Sequence, residues 1–163
     1  MVLSLANVLE DRIVFGRNIP LEINACLQEA VACADDFERA RKLFYSALDM
    51  QPDQLEVYIA LYKFCFYKGH LNEAEQVVYD ALKQSAKRGG FCDDYHQLDI
   101  NSTDWSLHEG AARIYLYSLK ALAFICLRKG DTEKAMQVLK KLQELDEYDK
   151  VGSSVIRDLA EAI

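Results

Sequence analysis

The sequence predicts an all-α protein, a solenoid of three helical hairpins closed by a C-terminal capping helix. Three observations carry this. First, the 163 residues include only 2 Pro and 7 Gly, about half the average share of backbone breakers, which disfavours a many-turned β-sandwich or barrel. Second, 51% of the residues are hydrophobic, enough to bury one core and too many for a disordered chain. Third, the chain repeats. The segment from Asp35 to Pro52 aligns with that from Gly69 to Ala86 at an offset of 34 residues, and the latter aligns with Gly130 to Glu147 at an offset of 61. Ala40, Phe44 and Ala47 fall on Ala74, Val78 and Ala81, and these on Ala135, Leu139 and Leu142.

The upstream half of each copy repeats too. Asn24, Leu27, Gln28 and Val31 match Tyr58, Leu61, Tyr62 and Cys65, which match Leu119, Leu122, Ala123 and Cys126. Spacings of three and four mark one helical face, so each copy is a helical hairpin. The turn signals agree. Asp35 with Glu38 forms a capping-box pattern for the second helix of the first copy. Gly69 and Gly130 break the chain at matching turns, and Asp131 is placed to cap the second helix of the third copy. Pro20 suits a first helical position and Pro52 comes after a helix end. In the tail, Ser153 or Ser154 is the expected N-cap of a helix carrying Val155, Ile156, Leu159 and Ile163 on one face. At the other end, Leu3, Leu5, Val8, Leu9, Ile13, Val14 and Phe15 form an apolar segment expected to cap the array or to act as a docking arm.

A helix–turn–helix repeat of 34 residues, with small Ala at two second-helix positions and a larger apolar residue between them, resembles the tetratricopeptide family. The resemblance covers roughly residues 21–148 apart from an insertion. It departs from the family pattern at Asn24, where a first-helix aromatic is usual, at Ala86 and Glu147 in place of a final Pro, and at Leu142 in place of the second Ala. The expected organisation is one domain: an N-terminal cap or arm (1–20), repeat one (21–54), repeat two (55–88), an insertion with helix extension (89–115), repeat three (116–149) and the capping helix (150–163). A single hairpin cannot bury its apolar face, whereas stacked copies with end caps can.

The first helices of copies two and three carry more apolar residues than one packing face needs. Ile59, Lys63, Phe66 and Tyr67 form a second stripe in copy two. Tyr117, Lys120, Ala121, Phe124, Leu127 and Arg128 form its counterpart in copy three. A solvated face should be polar. The resemblance implies that these positions line a concave groove, and an exposed apolar strip with interspersed charge marks an interaction site. The expectation is a protein-binding adaptor holding a partner peptide or helix in that groove. Phe66, Tyr67, Tyr117 and Phe124 would be anchors, and Lys63, Lys120 and Arg128 would meet carboxylates. The alternative is a groove filled by the protein's own N-terminal arm or insertion. In copy one the matching positions are small or acidic: Glu22, Ala25, Cys26, Glu29, Ala32 and Cys33. Glu29 and Lys63 stand where the family's two-carboxylate clamp for chaperone C-termini has Asn, which disfavours that partner class.

A narrower alternative is a small acidic chaperone of the type III secretion class, similar in size, charge and repeat count. From another class stands a thiol- or metal-dependent accessory protein. A net charge of −7 disfavours nucleic acid and anionic lipid as partners. No stretch reaches the roughly 20 apolar residues of a membrane span, and the N-terminus has no signal-peptide pattern. The five cysteines make an odd set without a CxxC pair and suit reduced thiols in the cytoplasm. A monomer or weak homodimer is expected.

The insertion contains Cys92, Asp93, Asp94, His96, Asp99, Asp104 and His108, whose spacing matches no zinc motif or calcium loop. Lys87-Arg88-Gly89-Gly90 lacks the order of a phosphate loop. No catalytic arrangement is argued, the three His having no evident orienting partner. The expectation is no enzyme activity, no cofactor and no metal. Ser106 with Glu109 predicts a capping box that starts a helical extension over 107–115. The remaining loop is long enough to suggest function, with Phe91, Tyr95 and Trp105 placed to pin it to the body or to present a contact.

Overall fold

A computed structural model describes residues 19–162. It holds seven α-helices, one short 3-10 turn and no strand among the described residues. The helices are α1 (Leu21–Ala32), α2 (Phe37–Met50), α3 (Leu55–Tyr67), α4 (Leu71–Gly89), α5 (Ala111–Arg128), α6 (Thr132–Leu145) and α7 (Ser153–Glu161), with the 3-10 turn at Tyr95–Gln97. The all-α class is therefore as expected. The apolar N-terminal segment from Leu3 to Phe15, and Ile163, lie outside the described residues. Two compact units divide the chain between Val77 and Val78.

In the first unit α2 packs on both α1 and α3. The second-helix repeat positions are its core: Ala40, Phe44 and Ala47 are fully buried, as is Ala74. Small residues let the helix axes approach, and the Phe44 ring fills the space between them, 5.3 Å from the Phe64 ring. Phe37 stacks on Phe64 at 5.2 Å and on His70 at 3.7 Å. Arg41 Nε and the Tyr45 hydroxyl both donate to Glu73 Oε1, at 2.6 and 3.1 Å.

In the second unit α5 packs on α6, and α7 packs on both. Here Val78, Ala81, Ala135, Leu139 and Leu142 are buried. The insertion folds back on the same unit. The Phe91 ring meets Trp105 and Tyr115 edge-on at 5.2 and 5.1 Å. The Tyr115 hydroxyl donates to the Asp93 carbonyl at 2.9 Å, and Lys141 Nζ donates to the Leu98 carbonyl at 2.7 Å. Tyr95 and Trp105 are buried, so the insertion's aromatics pin it.

The repeat is visible in backbone hydrogen bonds. At the end of α3, Gly69 N–H donates to Phe66 and His70 N–H to Cys65, and at the end of α5, Gly130 N–H donates to Leu127 and Asp131 N–H to Cys126. Gly69 and Gly130 have φ of +82° and +84°, the left-handed cap that only Gly adopts without strain. Asp36 and Asp131 cap α2 and α6, each accepting from the N–H three residues on at 3.1 Å.

Four local expectations are corrected. The cap of α2 is Asp36, not Asp35. The first copy buries Ile23, Leu27 and Ala30 rather than the face through Asn24, Gln28 and Val31. The same register recurs as Val57, Leu61, Phe64 in α3 and as Ser118, Leu122, Ile125 in α5, all buried. The extension of α5 begins at Ala111, because Gly110 takes φ +90°. Ser106 instead donates its N–H and hydroxyl to Asp104. In α7, Ile156 and Ala160 face inward while Val155 and Leu159 are exposed. Its N-cap is Gly152 rather than Ser153 or Ser154, and the Asp149 carboxylate upstream accepts from Ser154 N–H at 3.2 Å.

Ser118 is the polar member of that recurring register. It is fully buried and its hydroxyl has no hydrogen-bond partner. An unsatisfied buried hydroxyl costs stability, so Ser118→Ala raises the unfolding free energy by about 1 kcal/mol. An upward shift of the urea midpoint at unchanged slope checks this.

Candidate interaction surface

Helix α3 is apolar around most of its circumference because most of it is core. Leu55, Val57, Tyr58, Ile59, Ala60, Leu61, Tyr62, Phe64 and Cys65 are all buried. Ile59, at 8% exposure, is therefore a core residue and is removed from the open strip. What remains is Lys63 and Phe66, half-buried, and Tyr67, 40% exposed. The Phe66 and Tyr67 rings meet edge-to-face at 5.4 Å, a geometry that fixes both at the end of α3.

On α5 the strip is more complete. Tyr117 is 42% exposed, Phe124 and Leu127 are half-buried and Arg128 is exposed. Lys120 has a different role from the expected one. Its Nζ donates to the Val151 carbonyl at 2.7 Å, so this ammonium ties the α6–α7 link to α5. Arg113, four residues before Tyr117, was not anticipated. Its guanidinium lies over the Tyr117 ring at 4.9 Å and donates to the Lys150 carbonyl at 2.9 Å. The pair obeys the helical i,i+4 rule, a signal already present in the sequence.

The same link is held from its other side by Asp146. This buried carboxylate accepts from Lys150 N–H at 3.0 Å and Val151 N–H at 2.9 Å. Two cations thus meet the carbonyls, and one anion meets the amides, of two successive residues. Bonds to ionised groups are the stronger kind, and this clamp holds α7 in place.

In copy one Glu22, Ala25, Glu29 and Ala32 are exposed, while Cys26 and Cys33 are half-buried. Glu29 pairs with Arg39 at 3.2 Å, with both side chains more than half exposed, a pair that contributes little in water. Cys65 is buried, and burial pushes its thiol up to about 12, so it stays protonated and unreactive. Cys92 is exposed.

One histidine does have a carboxylate partner, contrary to expectation: His96 Nδ1 lies 2.9 Å from Asp94 Oδ1. Hydrogen bonds from His96 and Gln97 hold the Asp94 carboxyl below its usual range. The pair lies in an open cleft of 410 Å³ with Tyr79, Tyr95 and Lys134, and the Lys134 ammonium sits 5.1 Å from the Tyr79 ring. Among the described residues no group of three His, Cys, Asp or Glu side chains is placed to hold a metal ion. Among them no helix is long and apolar enough to cross a membrane.

The chain is 25% identical over 122 residues, 74% of its length and 68% of the other's, to an uncharacterized 19.8 kDa protein in the nifW 5′ region of Azotobacter chroococcum mcd 1. It matches no protein-family model and no solved structure.

Proposed function

We propose that this protein is a non-enzymatic interaction adaptor of the tetratricopeptide type, in which the outward strip of α3 and that of α5 are each a contact surface for a partner protein. One observation carries the reading. After the core of α3 and α5 is assigned, aromatic, aliphatic and basic side chains on the same strips stay half-buried or exposed: Phe66, Tyr67 and Lys63 on α3, and Tyr117, Phe124, Leu127 and Arg128 on α5. Their own fold does not fully cover them, and partly exposed aromatics beside cations are the usual anchors of a protein interface. The matching left-handed caps and fully buried Ala positions support the repeat assignment on which the strips depend. Lys120 is left out of the binding set because the Val151 carbonyl engages it.

Mutation separates binding from folding. Phe124→Ala weakens partner capture about tenfold or more, the scale of an anchor side chain, while far-ultraviolet circular dichroism stays unchanged. Quantitative affinity capture from the native cell, repeated with Tyr67→Ala and Arg128→Ala, checks it. Undiminished capture by all three variants would remove the strips from the account.

A further inference from the structure

The insertion and the α6–α7 link build a second surface that the first-helix strips do not use. In the unit that begins at Val78, Ile100, Trp105, Leu145 and Tyr148 line an open cleft of 350 Å³. Ile100 is 63% exposed and Tyr148 78% exposed, so two large apolar side chains stand in water beside a concave site. Single exposed apolar residues need no explanation, but a cluster around a cleft marks an interaction surface. The floor is rigid. Trp105 is buried, and its indole N–H donates to the Asp99 carbonyl at 2.9 Å.

Charge defines what fits. The lining holds the carboxylates of Asp104, Glu144, Asp146 and Glu147 against the single ammonium of Lys150. Asp146 is engaged by backbone amides, Asp104 by Ser106, and the Lys150 ammonium by the Ser106 carbonyl at 3.2 Å. Glu144 pairs with Lys141 Nζ at 2.9 Å and keeps 46% side-chain exposure, while Glu147 is exposed. The outward face is thus an exposed phenol ring and an aliphatic side chain flanked by the exposed carboxylate of Glu147 and by Glu144, which shares its charge with Lys141. A guanidinium meets all of these demands. It stacks on an aromatic face, forks to a carboxylate and loses its hydration more readily than an ammonium. Its methylene stem covers apolar surface.

We propose that the cleft between the insertion and the α6–α7 link docks an arginine-bearing, aliphatic segment of a partner protein. The inference stands independently of the first-helix strips, because no residue is shared between the two surfaces.

Trp105 is the one Trp of the chain, so its fluorescence reports on this cleft. The probe is a capped hexapeptide of alternating arginine and leucine, titrated at about 0.15 M salt, where long-range attraction is screened. The expected result is a saturable change in Trp105 emission, absent with the glutamate–leucine counterpart. Affinity falls about fivefold in Tyr148→Ala and about threefold in Glu147→Gln, with Asp49→Asn, a charge-matched change in the first unit, leaving it unaltered. No saturable change, or full affinity in both cleft variants, overturns the proposal. So does an equal loss in Asp49→Asn, which would mean diffuse attraction to an acidic protein. Self-association in sedimentation that Tyr148→Ala abolishes would assign the cleft to a second copy and also overturn it.

Discussion

Phe44→Ala lowers the unfolding free energy by about 3–5 kcal/mol, the range for deleting a buried aromatic side chain. Phe44 is fully buried and is the large member of the Ala–Phe–Ala set on α2. Its neighbours on that face are Ala40 and Ala47, which have no side-chain atoms able to move into the vacated space. The Phe64 ring beside it is already stacked on Phe37, which limits its collapse into the cavity. The loss therefore lies toward the upper part of the range. Urea denaturation monitored by circular dichroism measures it. Tyr67→Ala, on the exposed end of α3, costs less than about 1 kcal/mol in the same assay. Equal losses at the two sites would mean that the second-helix positions are not the core.

Asp146→Ala costs about 2–4 kcal/mol, through two backbone N–H groups left without an acceptor in a buried setting. The Lys150 and Val151 amides lose their partner, while Arg113 and Lys120 still hold the two carbonyls. Asp146→Asn keeps one acceptor oxygen and loses about half as much. The damage is local before it is global. Amide hydrogen exchange of α7 accelerates in both variants, more in Ala than in Asn, because the link sets where α7 packs on α5 and α6. Unchanged protection of α7 would show that the clamp does not hold it.

How far the sequence foretells this structure depends on the range of the interaction. The second helices were legible because close packing of helices demands small residues at fixed spacing, and Ala40, Ala47, Ala74, Ala81 and Ala135 supply them. The turns at Gly69 and Gly130 were legible for a similar reason, since a left-handed cap selects Gly. The register of α1 was not. Asn24, Leu27, Gln28 and Val31 are spaced like a face, yet Ile23, Leu27 and Ala30 are more apolar and win the buried position. Local capping rules also misled at Ser106, where the Ser–Glu pattern is real but the hydroxyl turns to Asp104.

The candidate strips follow from an excess of aromatic residues on two first helices, which stands out against a polar expectation. Their composition was not legible. Ile59 lies on the strip by helical geometry but is covered by the fold, and Lys120 meets a carbonyl 31 residues further along the chain. Neither fact has a local signature. The cations that hold the α6–α7 link and the cleft beside Tyr148 likewise come from segments distant in sequence, about 40 residues apart in the case of Trp105 and Leu145.

The central proposal is that the strips of α3 and α5 turned away from the core present the binding surface, while their inward faces and the second helices form the core. The most direct measurement is chemical-shift mapping on isotope-labelled protein with a peptide derived from the captured partner. The account predicts that the largest perturbations fall on Lys63, Phe66 and Tyr67 of α3 and on Tyr117, Phe124, Leu127 and Arg128 of α5, with Ala40, Ala47, Ala135 and Leu142 scarcely moved. Perturbations confined to other residues, with both strips silent, would contradict it.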